Sequence, residues 1–162
     1  MNIRVGQGFD IHAVSNDPNR KLILGGVPFP DTPGLVGHSD ADVVVHACMD
    51  ALVGAAGLGD IGDLFPDTDS TYAGASSMEL LDEVVARLDS AGWMVGNIDT
   101  TLILEAPKVA PHREEMQQRM SAVVGAPVSV KASTAERLGS IGRGEGIAAI
   151  AVALICRKDS EN

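Results

Sequence analysis

Asp10 and His12 stand two residues apart at the end of an alternating stretch, Ile3-Arg4-Val5-Gly6-Gln7-Gly8-Phe9, and a second histidine, His46, sits in a later apolar run. In extended chain, residues i and i+2 point to the same side, so the first pair offers a carboxylate and an imidazole together. Two imidazoles with one carboxylate are the ligand set of catalytic zinc, in which three protein ligands leave one position for water or substrate. By pattern alone a plainer reading stays open: Asp10 and His12 are satisfied polar residues at a strand end, and His46 bonds to Asp42 or Asp50, which share its helix face.

Three further groups could do chemistry. His38-Ser39 precedes the apolar run, and a histidine beside the free N–H groups of a helix start can bind an anion or simply belong to a capping loop. Asp60-Ile61-Gly62-Asp63-Leu64-Phe65-Pro66-Asp67-Thr68-Asp69 follows Gly57 and Gly59, so turns are easy and the carboxylates could hold a cation or accept from hydroxyls. Its spacing is not that of an EF-hand, and a solvated acidic loop is the commoner meaning. Ala106-Pro107-Lys108, Ser133-Thr134-Ala135-Glu136-Arg137 and Gly142-Arg143-Gly144-Glu145 gather hydroxyls, amides and cations in loops of the kind that bind diphosphate. Neither a Walker A nor a GxGxxG pattern is present, so pattern alone specifies no nucleotide.

These residues need elements to hold them. Residues 3–9 alternate as a strand, and the glycines within it mark a close backbone approach. Lys21 to Leu24 reads as a second strand closed by Gly25-Gly26, and proline-rich 27–37 as a loop that delivers the chain to a helix. That helix runs from near Ser39, its cap, to about Ala56, with Asp40 and Asp42 at the positive end of the dipole. Ser76-Ser77-Met78-Glu79 reads as a capping box for a helix to about Ala91, stopped by Gly92. A strand from Trp93 to Leu104, a helix opened by Pro111 and ended by Gly125, and strands at 128–133 and 147–155 complete the chain. Loops 57–70, 105–111 and 133–146 carry the polar chemistry.

At 162 residues the chain is expected to be one domain with a real core, built from Val, Ile, Leu and Ala because only 3% of residues are aromatic. A net charge of −10 argues against nucleic acid or an anionic membrane as partner; an anionic ligand would need a locally positive site. No apolar run reaches the roughly 18 residues of a membrane helix, and the first residues lack a signal peptide's apolar region, which points to the cytoplasm. Cys48 and Cys156 read as buried free thiols.

Taken together, the motifs resemble the 2-C-methyl-D-erythritol 2,4-cyclodiphosphate synthases of non-mevalonate isoprenoid biosynthesis. The likeness runs through Arg4 to His12, His38 to Asp42 with His46, Gly59 to Gly62 with Phe65 to Asp69, Ala106 to Lys108, Lys131 to Glu136, and Gly142 to Gly146. The resemblance implies an α+β domain over residues 1–157 with a polar tail at 158–162, a mixed sheet covered by helices in a ferredoxin-like βαβ arrangement, and a homotrimer with active sites between subunits. It implies a lyase that cyclises 4-diphosphocytidyl-2-C-methyl-D-erythritol 2-phosphate with loss of CMP. Carried over by motif, Asp10, His12 and His46 look like zinc ligands, His38 and Thr134 like transition-state stabilisers, and Glu136 like a ligand of a second divalent ion, magnesium or manganese. Ser39, Asp60, Ile61, Gly62, Phe65, Pro66, Asp67, Thr68 and Asp69 resemble the erythritol pocket. Ala106, Pro107, Lys108, Ser133 and Ala135 resemble the cytidine diphosphate pocket, and Arg143 an anion partner. Ser140 departs from the family, many of whose members have an aromatic residue facing the trimer's central channel there.

Overall fold

A computed structural model describes residues 2–158. The alternating N-terminal stretch forms strand β1 (Ile3–Ala13), and the most apolar segment of the chain forms β6 (Gly146–Arg157); the two pair antiparallel from Ile3 opposite Cys156 to Ala13 opposite Gly146. On its other edge β6 pairs antiparallel with β4 (Trp93–Ile103), and β4 pairs parallel with β5 (Val128–Ser133), so the sheet order is β1-β6-β4-β5. Helix α4 (Arg113–Val124) connects the parallel pair as a βαβ unit.

The α+β class and the mixed, helix-covered sheet agree with the sequence reading; the ferredoxin-like connectivity does not. That arrangement runs β-α-β-β-α-β, whereas here the consecutive strands β5 and β6 come last. The apolar β6 takes a central position, where both its edges are hydrogen-bonded and its alanines can be buried.

Helix α1 (Val43–Ala56) is buried nearly all round, as its apolar composition requires. It lies directly on β1 at two glycines. A Cβ added to Gly6 would stand 2.0 Å from the Ala51 carbonyl oxygen, and one added to Gly8 2.0 Å from that of Ala47. The opposite side of β1 is apolar and bare: Val5 is 65% exposed and Phe9 51%, with Ile3, Ile11, Met94 and Val152 exposed beside them. Alternation in β1 thus separates a glycine side that admits a helix from an apolar side left without cover in the single chain.

Two element boundaries differ from expectation. The α1 cap is Asp42, not Ser39: its carboxylate accepts from Val44 N and Val45 N, and also from Gly25 N at 2.9 Å and Gly26 N at 2.7 Å. Ala41 has a left-handed φ of 58°, which keeps 39–41 out of the helix. Residues 27–33, expected as loop, form strand β3 (Val27–Pro33), paired antiparallel with β2 (Lys21–Leu24) around Gly25 and Gly26, both at positive φ. This sheet has two strands only, so each has an unpaired edge on which proline's missing N–H is harmless. Asp42 therefore ties the hairpin turn to the start of α1.

Helix α3 (Ser77–Ser90) forms where expected but without the capping box; Ser76 makes no side-chain cap bond, and an Asp40 carboxylate oxygen accepts from Ser77 N at 2.9 Å instead. The polar loops contain two single-turn helices, α2 (Ile61–Leu64) and α5 (Gly139–Gly142). Pro111 falls in a 3-10 turn before α4, which ends at Gly125 in the left-handed region. Cys48 is buried and Cys156 partly so, both as free thiols. Of the expected tail, Lys158 is bonded through its N–H to the Gly92 carbonyl, and 159–162 lie outside the described residues. No helix among the described residues is long and apolar enough to cross a membrane.

Candidate metal centre and substrate cleft

The glycine contact between β1 and α1 decides the distance between Asp10 at the strand end and His46 one turn into the helix. Asp10 Oδ2 lies 2.9 Å from His12 Nε2 and 3.0 Å from His46 Nδ1, and the two ring nitrogens are 3.3 Å apart. One ligand atom from each residue falls within 4.8 Å of the others, a grouping that could hold a metal ion. The alternative pairing of His46 with Asp42 or Asp50 is not formed, because those carboxylates accept from backbone N–H groups.

The donor chemistry fits a cation. His12 Nδ1 lies 2.6 Å from the Val36 carbonyl, which can only accept, so Nδ1 carries the proton and neutral His12 aims the lone pair of Nε2 into the trio. His46 Nε2 meets Ser77 Oγ at 2.9 Å and Ser39 Oγ at 3.1 Å, leaving Nδ1 on the trio side. Remote ring nitrogens engaged in this way are the outer contacts that orient metal-binding histidines. With protons in place of a cation, burial opposes it, yet hydrogen bonds and charge from the two imidazoles in their protonated form hold the Asp10 carboxyl well below the usual carboxylate range. Burial likewise pushes His12 down, and Asp10 more than reverses this, so His12 is raised. An anion between two imidazoles is a place where positive charge is favoured.

A cleft of about 520 Å³ opens beside the trio, and His38, Ser39, Ile61, Gly62, Phe65, Pro66 and Asp67 line it as the sequence reading expected. Asp60, Thr68 and Asp69 do not line it. Asp60 caps α2, accepting from Asp63 N at 2.9 Å. Asp69 presents its carbonyl to His38 Nε2 at 3.1 Å, so its backbone orients that ring. Asp50, raised by burial, accepts from Ile61 N at 3.0 Å and fastens the loop to α1.

Several residues of this site were not anticipated. Tyr72, the single tyrosine, lines the cleft and meets Phe65 edge-on at 5.3 Å between centroids. Arg20 donates to the carbonyls of Leu35 at 2.8 Å, Gly37 at 3.0 Å and Ser39, and so pins the segment that carries His38. A lone arginine just before β2 gave no pattern by which to find it.

The second group of residues collects at the ends of the parallel strands β4 and β5. Leu104 N donates to the Ser133 carbonyl at 3.1 Å, and Glu105 Oε1 accepts from Ala135 N at 3.1 Å and Arg137 N at 3.2 Å. Thr134 Oγ1 donates to Glu136 Oε1 at 2.7 Å. Ala106 and Pro107 share a cis peptide bond, and Lys108 follows. Arg143 is engaged with Glu145 at 2.6 Å. None of these residues lines the cleft beside the trio. Both groups lie at the same end of the sheet, but β1 and β5 are its opposite edges, three strand spacings or about 14 Å apart.

The family model described as the YgbB family matches residues 3–156. The chain is 56% identical over 159 residues to the 2-C-methyl-D-erythritol 2,4-cyclodiphosphate synthase of Azoarcus sp. (strain BH72), covering 96% of this chain and 97% of that one. Among solved structures it is similar to the bifunctional IspDF from Campylobacter jejuni, with TM-score 0.91 and 41% identity over 97% of this chain and 43% of that chain. It is also similar to an IspF CDP complex from Plasmodium falciparum, with TM-score 0.84 and 33% identity over 98% of both chains.

Proposed function

From the premise that this chain belongs to the YgbB family, and that relatives matched over nearly their whole length are 2-C-methyl-D-erythritol 2,4-cyclodiphosphate synthases, we infer that it makes that cyclodiphosphate. It is an enzyme, a phosphorus-oxygen lyase of non-mevalonate isoprenoid biosynthesis, that cyclises 4-diphosphocytidyl-2-C-methyl-D-erythritol 2-phosphate and releases CMP. The reading rests on the meeting of Asp10, His12 and His46 at a cleft in a chain of this kinship. The Plasmodium CDP complex supports a cytidine diphosphate conjugate as substrate.

In the reaction an oxygen of the 2-phosphate attacks the β-phosphorus, a new P–O bond closes the ring, and the P–O bond to CMP breaks. The attacking oxygen is already anionic at neutral pH, so no strong base is required; the work is positioning and charge neutralisation. Asp10, His12 and His46 would hold zinc, which would supply a Lewis acid for a phosphate oxygen. His38 and Thr134 bind the charge that develops near the β-phosphorus, and Glu136 would hold a second divalent ion, magnesium or manganese. Ser39 and the stretch from Asp60 to Gly62 and Phe65 to Asp69 shape the erythritol pocket. Ala106, Pro107, Lys108, Ser133 and Ala135 receive the cytidine diphosphate, and Arg143 pairs with an anion.

We further propose that residues 1–157 are one synthase domain, that the enzyme is cytoplasmic, and that it works as a homotrimer. Two features support the trimer: the apolar outer face of β1 has no cover in the single chain, and the two residue groups sit at opposite sheet edges, too far apart for one compact site. A neighbouring subunit's 105–111 and 133–136 loops would complete each cleft. Sedimentation equilibrium should give a species of three 16.8 kDa chains; a monomer at working concentration would exclude shared sites.

Phosphorus NMR of the substrate with the protein, with and without chelator, tests the function. The expected result is a cyclic diphosphate plus CMP, lost on chelation. A ring-opened phosphate would instead mark a zinc phosphohydrolase, and no turnover a binding module.

A further inference from the structure

Ser77 is fully buried, and its hydroxyl is engaged on two sides, by His46 Nε2 at 2.9 Å and by an Asp40 carboxylate oxygen. A hydroxyl has one proton to give. A carboxylate only accepts, so that proton goes to Asp40 and the Ser77 oxygen is left to accept from His46. His46 must then carry its own proton on Nε2, which leaves Nδ1 as a lone pair facing Asp10 at 3.0 Å and His12 at 3.3 Å. Asp40 is itself held in place, accepting from Ser77 N at 2.9 Å and Asp42 N at 3.2 Å. Ser39 Oγ, 3.1 Å from His46 Nε2, accepts from Ala41 N and offers a second oxygen to the same ring proton.

We propose that Asp40, acting through Ser77, is a positioning residue of the metal centre: the relay Asp40–Ser77–His46 fixes the tautomer and ring orientation in which His46 can take up a cation. The proposal rests on the reading of Asp10, His12 and His46 as metal ligands. His12 reaches the same state through the Val36 carbonyl, so both histidines turn their lone pairs inward by pairing the remote nitrogen with an acceptor. The relay also spans the fold, since Asp40 precedes α1 and Ser77 opens α3.

Asp40→Asn inverts the relay. The amide oxygen keeps the shorter bond from Ser77 N at 2.9 Å and gives up the longer one from Asp42 N at 3.2 Å, its NH2 group faces Ser77 Oγ, and the hydroxyl turns to donate to His46 Nε2, which drives the ring proton to Nδ1 inside the trio. Zinc affinity, measured by competition with a chromophoric chelator, should fall about 10–100-fold, the usual effect of losing an outer partner of a metal-binding histidine. Ser77→Ala leaves Ser39 as an acceptor and should lose about tenfold, toward the lower end of that range. Ser76→Ala, at a side chain that makes no cap bond, should bind zinc as the parent does. In zinc-loaded parent protein, NMR should find a slowly exchanging His46 Nε2–H whose protection drops in Ser77→Ala.

Absence of zinc binding at the trio of the parent would overturn the metal reading itself. Parent-like zinc affinity in both Asp40→Asn and Ser77→Ala, or a zinc-loaded His46 that carries its proton on Nδ1, would overturn the relay alone. Should Asp40→Asn fail to fold, Ser77→Ala and the parent's NMR spectrum decide the matter.

Discussion

Replacement of His46 by alanine is expected to lower CMP release by at least about 10³-fold while the chain stays folded. The rate loss is at least that of deleting one preorganised electrostatic contact at a transition state, on the order of 10²–10³, because the ligand takes the bound cation with it. The structural cost is smaller. The side chain is 11% exposed, and its removal leaves a small cavity and deprives the hydroxyls of Ser39 and Ser77 of a partner. Each such loss costs about 1–3 kcal/mol, against the roughly 5–15 kcal/mol stability of an ordinary domain. Zinc content, CMP release and the circular-dichroism melt should therefore part company: the first two collapse and the third shifts by several degrees. Near-normal CMP release from metal-stripped His46→Ala protein would sink the role assigned to this residue.

The meeting of Asp10, His12 and His46 was legible because two of the three stand two residues apart on a strand, where period-two geometry fixes their direction without knowledge of the fold. The third required a decision about which face of α1 looks at β1, and the resemblance supplied it. The misread boundaries have one common cause, competition among nearby polar side chains. Ser39, Asp40 and Asp42 can all cap a helix on paper. Asp42 takes α1 because its carboxylate also meets Gly25 and Gly26 from the hairpin, and this leaves Asp40 to cap α3 from a distance and Ser39 to face His46. Such choices depend on tertiary neighbours that local pattern does not contain. The prolines of 27–33 misled for a similar reason, since a strand with a free edge tolerates them and only pairing reveals the edge.

The same contrast between pattern and packing gives Gly8→Ala, like its neighbour Gly6, a large expected effect on the fold. The glycines of β1 were read as a sign of close backbone approach, and the approaching backbone is that of α1. An added Cβ at position 8 would meet the Ala47 carbonyl oxygen at 2.0 Å and Ala51 N at 2.7 Å, both backbone atoms that no rotamer change can move aside. The helix must lift, and with it His46, whose Nδ1 lies 3.0 Å from Asp10. Overpacking of this kind costs about 1–3 kcal/mol, occasionally more, and a clash with backbone belongs at the upper end. For a chain of this length, a loss of that size lowers Tm by roughly 6–12 °C, at about 2–4 °C per kcal/mol. Gly54→Ala is the matched control: it lies in α1, an added Cβ meets nothing within 4 Å, and the alanine should stabilise the helix by about 0.5–1 kcal/mol. Because the trio straddles the β1–α1 contact, Gly8→Ala should also weaken zinc binding, whereas Gly54→Ala should leave it unchanged. If the two variants melt alike and bind zinc alike, the glycine contact is not what sets the spacing between Asp10 and His46.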